Sequence, residues 1–103
     1  MIDVCVKVTF LAINKPSPAP LTVSIQKGST ALDAFKAASK IDDCYKFRLQ
    51  ATAHGPYITT LCRIKRDHLK KMYWMFYVDG SKAKVGVDSY VPKPSECVEL
   101  RYI

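Results

Sequence analysis

Residues 21–38 read LTVSIQKGSTALDAFKAA, and the hydrophobic period changes once inside this stretch. Leu21, Val23 and Ile25 alternate with Thr22, Ser24 and Gln26, the two-residue repeat of a strand with one buried face. Gly28 ends that pattern. From Thr30 onward Ala31, Leu32, Phe35 and Ala38 recur at helical spacing and make a short apolar stripe. The hydroxyl of Ser29 or Thr30 can accept from a free backbone N–H of the first turn. Asp33 places negative charge near the positive end of the helix. The stretch therefore predicts strand, turn, helix. The helix fades near Lys40-Ile41, and Asp42-Asp43 read as a turn.

Everything before and after is strand-like. In IDVCVKVTFL, residues 2–11, Val4, Val6, Val8 and Phe10 point one way and Cys5, Lys7 and Thr9 the other. Pro16, Pro18 and Pro20 mark a loop before the next strand, so the first two strands form an antiparallel hairpin with a long tip. After the helix, Tyr45, Phe47 and Leu49 alternate in a third strand, interrupted at His54-Gly55-Pro56. Residues 57–64 are rich in β-branched side chains and read as a fourth. Residues 65–70 are polar linker. Residues 72–78 form a fifth strand, turned by Asp79-Gly80, a strong hairpin signal, with a brief return over 82–87. A last strand spans 97–103, with Val98, Leu100 and Tyr102 on one face. One helix after a hairpin, then more strands, makes the chain α+β. The order suggests a β-grasp-like mixed sheet with one helix packed on it. There the first and last strands lie side by side and parallel at the centre.

The 103 residues predict a single domain, 1–103, large enough for an independent core. No segment reaches the roughly 18 apolar residues that a spanning helix needs, so membrane insertion is not expected. Residues 1–4 already read as strand, so Met1 is expected to stand where any leader has been removed. The net charge is +7, a balance suited to a polyanion or an acidic surface. Its densest run is Arg63, Lys65, Arg66, Lys70 and Lys71. Four cysteines, Cys5, Cys44, Cys62 and Cys97, allow three pairings and suggest secretion, with reduced buried thiols as the alternative. Cys5 and Cys97 sit opposite the apolar rows of their strands. They can bridge if register brings their Cα atoms within about 7 Å. Cys44 and Cys62 would then form the second pair.

Chemistry-bearing constellations are sparse. There is no CxxC pair and no phosphate-cradling glycine loop, and His54 and His68 are not at metal-ligand spacing. Cys62 with His68 has no oxyanion-binding feature beside it, so an enzyme is not expected. Nucleic-acid binding would want exposed aromatics on a sheet face with basic residues beside them. The aromatic run of residues 73–77 reads better as a core strand, and no nucleic-acid partner is expected.

Two segments, TAHGPYITTL (52–61) and YWMFYVDGSKAKVGVDSYVPKPSECVELRY (73–102), together resemble a known family. Gly-x-Tyr-Ile-Thr-Thr, then Tyr-Trp-x-Phe-x-Val-Asp-Gly, Gly-Val-x-x-Tyr and a final Glu-x-Arg-Tyr strand are similar to the C-terminal β-domain of transcobalamin and intrinsic factor. The helix entry VSIQKGSTALDAFKAA also fits, and the resemblance covers about residues 3–103. It implies secretion, transport and a place beside cobalamin. In the carriers this smaller domain closes over a ligand held by a larger helical domain. Carried over, the contacts are Ala53, His54, Gly55, Pro56 and Tyr57, plus Trp74. Gly55-Pro56 would let backbone approach a corrin closely. Trp74 would offer a flat face and one N–H donor, and an exposed His54 could ligate cobalt. The 103 residues hold no counterpart of the helical domain. One wall alone implies weak binding, unless a second domain or a homo-oligomer completes the site. The competing expectation is a basic interaction module that binds a protein or polyanion through Lys65, Arg66, Lys70 and Lys71, with no small-molecule ligand.

Overall fold

The computed structural model describes residues 1–53 and 55–103. Its main sheet has five strands in the order β2-β1-β8-β6-β7. These are β1 (Ile2–Phe10), β2 (Leu21–Ile25), β6 (Trp74–Val78), β7 (Ser81–Lys82) and β8 (Cys97–Tyr102). β1 and β8 run parallel at the centre, with Cys5 opposite Cys97 and Phe10 opposite Tyr102, and the other pairs are antiparallel. This is the α+β, β-grasp-like arrangement that the element order implies. Alternation decides the faces. Val4, Val6, Val8, Val23, Val98 and Leu100 form one continuous buried layer.

The helix α1 (Ala31–Ile41) lies on that layer over β2 and β1, burying Ala31, Ala34, Phe35 and Ala38. Of the two hydroxyls at its start, Thr30 is the cap. Its Oγ1 accepts from the Asp33 N–H at 3.4 Å, and the Asp33 carboxylate accepts from the Thr30 N–H at 3.0 Å. The next two N–H groups are also satisfied, Ala31 on the Tyr90 carbonyl and Leu32 on that of Val87. The helix thereby pins the segment 87–90.

An 11-residue helix is about 16 Å long and cannot cover the β8-β6 half of the layer. A second sheet does so, with order β3-β4-β5: β3 (Phe47–Thr52), β4 (Gly55–Leu61) and β5 (Ile64–Lys65). The sequence reading runs the fourth strand through to residue 64. The chain instead turns at Cys62 and Arg63, both left-handed (φ 54° and 63°), which matches the twist of a tight hairpin. The expected return over 82–87 is likewise shorter and pairs only at Ser81 and Lys82. Pro56 sits inside β4 without conflict. β5 reaches only Thr60 and Leu61, so β4 is an edge at Pro56.

Disulfides join Cys5 to Cys97 across the central parallel pair and Cys44 to Cys62 between the short 3₁₀ turn Asp43–Tyr45 and the β4–β5 turn. On the far side of the main sheet the Glu99 side chain is nearly closed off. It accepts from Thr9 Oγ1 at 2.5 Å and from Arg101 Nε at 3.1 Å, and Arg101 lies 4.0 Å over the Tyr77 ring. Burial pushes the Glu99 carboxyl up. The hydrogen bonds from Arg101 and Thr9 and the charges of Arg101 and Lys7 outweigh it, and the pKa falls below its ordinary 4.5. A carboxyl depressed on folding adds stability that is complete above its unfolded value and is lost as pH falls through the folded value. Urea midpoints are therefore expected to fall as pH drops below about 4.5. Glu99→Gln should flatten that acid limb, and an unchanged limb would contradict the assignment.

Candidate functional site

Two of the segments singled out in the sequence meet in space. Gly55 opens β4 at φ +102°, a conformation that L side chains rarely adopt. A Cβ there would also meet the Asp88 carboxylate at 3.4 Å. The glycine thus lets the Gly55-Pro56-Tyr57 segment lie against the segment that α1 holds in place. Tyr57 then reaches β6, its hydroxyl donating to the Trp74 carbonyl at 3.1 Å. Burial raises the Tyr57 pKa, so the phenol stays a neutral donor.

Between these elements is a cleft of about 190 Å³. Pro56, Tyr57 and Ile58 form one wall, Trp74, Met75 and Phe76 the other, and the chain from Lys82 to Val87 closes one end. The lining side chains are apolar apart from Tyr57, whose hydroxyl is hydrogen-bonded to Trp74, and one cation, Lys82. Val85 is 49% exposed at its lip, whereas Val87 is buried beneath it.

Pro56, Tyr57 and Trp74 line this cleft together. Gly55 is next to it against Asp88, Ala53 is exposed in the β3–β4 turn outside the lining, and His54 lies outside the described residues. The role expected of the Trp74 side chain needs correction. The residue is 1% exposed, its Nε1 donates to the Ile64 carbonyl at 2.9 Å, and its ring packs on Phe10 and Tyr102. The indole has neither a free face nor a free N–H to offer. It joins the small sheet to the large one and backs the cleft. Sequence reasoning missed Met75, Phe76, Ala83 and Val85. The available signal was the apolar pair Val85 and Val87 around Gly86, directly after the Asp-Gly hairpin.

Among the described residues no group of three or more His, Cys, Asp or Glu side chains could hold a metal ion. Among the same residues no helix is long and apolar enough to cross a membrane.

Comparisons with known proteins agree on the family. A family model described as a domain of unknown function (DUF4430) matches residues 28–103. Bovine transcobalamin-2 is 31% identical over 103 residues, covering 99% of this chain and 22% of the relative. Human transcobalamin-1 is 28% identical over 81 residues, covering 78% of this chain and 19% of the relative. The chain thus spans about a fifth of the length of these relatives. The fold matches that of haptocorrin, solved in complex with Cbi, at a TM-score of 0.78 and 24% identity, covering 98% of this chain and 25% of that one. It also matches a Ruminococcus gnavus protein of nearly equal extent, at a TM-score of 0.69 and 14% identity, covering 100% of this chain and 97% of that one. The match over residues 28–103 spans the helix and strands β3 to β8, and the chain belongs to the DUF4430 family, with a transcobalamin-like fold.

Proposed function

We propose that this domain is a non-enzymatic, secreted capping module. Its cleft between β4 and β6 receives the edge of cobalamin or a similar flat corrinoid. The observation that carries this reading is the cleft itself: largely apolar walls, with Gly55-Pro56-Tyr57 brought against β6. Its size sets the mode of binding. At about 190 Å³ it is smaller than the roughly 300–1,000 Å³ of a pocket that encloses a ligand. It grips an edge or a side arm and leaves most of a corrin wet. Binding by this domain alone is therefore weak, and the opposite wall comes from a second domain or another copy of the chain. The contacts are Pro56, Tyr57, Phe76, Ala83 and Val85, with Gly55 and Ala53 beside them and His54 kept as a candidate from the sequence. Trp74 supports them from behind. Two disulfides fit an oxidising, extracellular setting.

Titration with cyanocobalamin and aquocobalamin tests this, read by the visible corrin bands and by fluorescence of Trp74. We expect saturable quenching in the submillimolar to millimolar range. Val85→Glu, which replaces an apolar contact at the lip with a charged one, should weaken binding about tenfold or more. The side chain is exposed in the free protein, so the fold survives the change. No quenching and no band shift at millimolar ligand would refute the proposal. His54→Ala tests ligation separately, because only a cobalt ligand would alter the bands of the aquo form.

A further inference from the structure

The small sheet has an open face that the cleft does not use. Arg48, Thr60 and Lys65 stand directly opposite one another across β3, β4 and β5, so their side chains share one face. On either side of this row lie two shallow depressions of about 490 and 500 Å³. Lys46 and Arg63 complete one and Arg66 the other. Five cations thus surround Thr60. The one carboxylate among the lining residues, Asp43, is ion-paired with Lys46 at 3.2 Å. Arg66 is held in place, donating to Gln50 Oε1 at 2.6 Å and lying 5.5 Å over the Tyr57 ring.

We propose that this face binds a sulfated linear polysaccharide. Neighbouring strands are about 4.8 Å apart, so Arg48 and Lys65, two strands apart, are separated by about 10 Å. A single small anion cannot span that distance, and Lys46 and Arg63 add positive charge on one side of the row. A polymer with regularly spaced anionic groups spans all of it. Thr59, Thr60 and Gln50 supply neutral polar groups suited to sugar hydroxyls. Among the described residues the face offers no free aromatic platform for bases. Phe47 packs against the core and the Tyr57 ring is covered by Arg66. Nor does the face have the apolar stripe that a membrane-inserting surface needs, Leu49 being its only exposed large apolar side chain. The sequence-level patch is thereby redrawn. Lys65 and Arg66 belong to this face, whereas Lys70 and Lys71 are exposed on the following turn and line neither depression.

Affinity for a size-defined heparin oligosaccharide, measured by calorimetry across a series of salt concentrations, tests the proposal. Each phosphate-type contact removed lowers the slope of log K against log salt by roughly one. Arg48→Gln with Lys65→Gln should lower the slope by about two and weaken binding about tenfold or more near physiological salt. Lys70→Gln with Lys71→Gln removes the same charge and should change the slope by less than about half a unit. Equal losses from the two pairs would overturn the proposal, because binding would then follow net charge alone. Tighter binding to single-stranded DNA or to phosphatidylserine vesicles, with the same dependence on Arg48 and Lys65, would also overturn it and reassign the face.

Discussion

Trp74→Ala is expected to lower the unfolding free energy by about 3–5 kcal/mol, the usual cost of deleting a buried large aromatic. In a domain of this size that is a fall in Tm of roughly 15–30 °C. The indole fills the junction of the two sheets. Its ring centroid lies 4.9 Å from that of Tyr102 and 5.8 Å from that of Phe10, and its N–H satisfies the Ile64 carbonyl. Tyr102 reinforces the same junction, donating to the Lys65 carbonyl at 2.7 Å. Truncation removes packing and orphans an acceptor together. Trp74→Phe keeps most of the packing and loses the hydrogen bond, so it should cost about 1–3 kcal/mol. Leu69→Ala, at a residue 96% exposed, should cost less than about 0.5 kcal/mol. Urea melts of the oxidised protein measure all three. A Trp74→Ala cost near that of Leu69→Ala would show that the indole is not the junction described.

The two disulfides should differ in worth because they close loops of different length. Cys5 and Cys97 are 92 residues apart in sequence, Cys44 and Cys62 only 18. If the bridges act mainly by restricting the unfolded chain, the first is worth about 4.5 kcal/mol and the second about 3. Cys5→Ala with Cys97→Ala should therefore destabilise more than Cys44→Ala with Cys62→Ala, by about 1–1.5 kcal/mol. Denaturant melts without reductant give the order. The reverse order would mean that packing around the nearly buried Cys62 outweighs chain entropy.

Residues whose pattern repeats locally were legible in the sequence. Val4, Val6 and Val8 in the first strand and Val98 and Leu100 in the last declare their buried face by alternation alone. Ser29-Thr30 and Asp33 declare the helix start, without deciding which hydroxyl caps it. The parallel pairing of the first and last strands followed from element order, whereas the register that sets Cys5 opposite Cys97 was left open by it. The division into two sheets was not legible. Nor was the turn at Cys62-Arg63 that folds β5 back onto β4, where neither residue is a usual left-handed former, so local propensity gave no warning.

The cleft was half legible. Gly55-Pro56-Tyr57 stood out as a break in β-branched sequence, and Trp74 as the single indole of the chain. Whether Trp74 faced outward depended on which row of the alternating strand β6 met the second sheet. Alternation alone leaves both faces open. The other lip, Ala83 to Val87, has no period of its own. It is placed by the Ala31 and Leu32 amides at the helix start, a contact between residues about 55 positions apart that no sequence window contains.

The central claim is that the space between β4 and β6 receives a flat ligand. Amide NMR spectra of the labelled domain, recorded during titration with cyanocobalamin, test it residue by residue. The account predicts saturable shifts at Tyr57, Phe76, Ala83, Val85 and Gly86, with Arg48 and Lys65 on the other face unmoved. Spectra unchanged at millimolar ligand, or shifts gathered on the Arg48–Lys65 face instead, would contradict it.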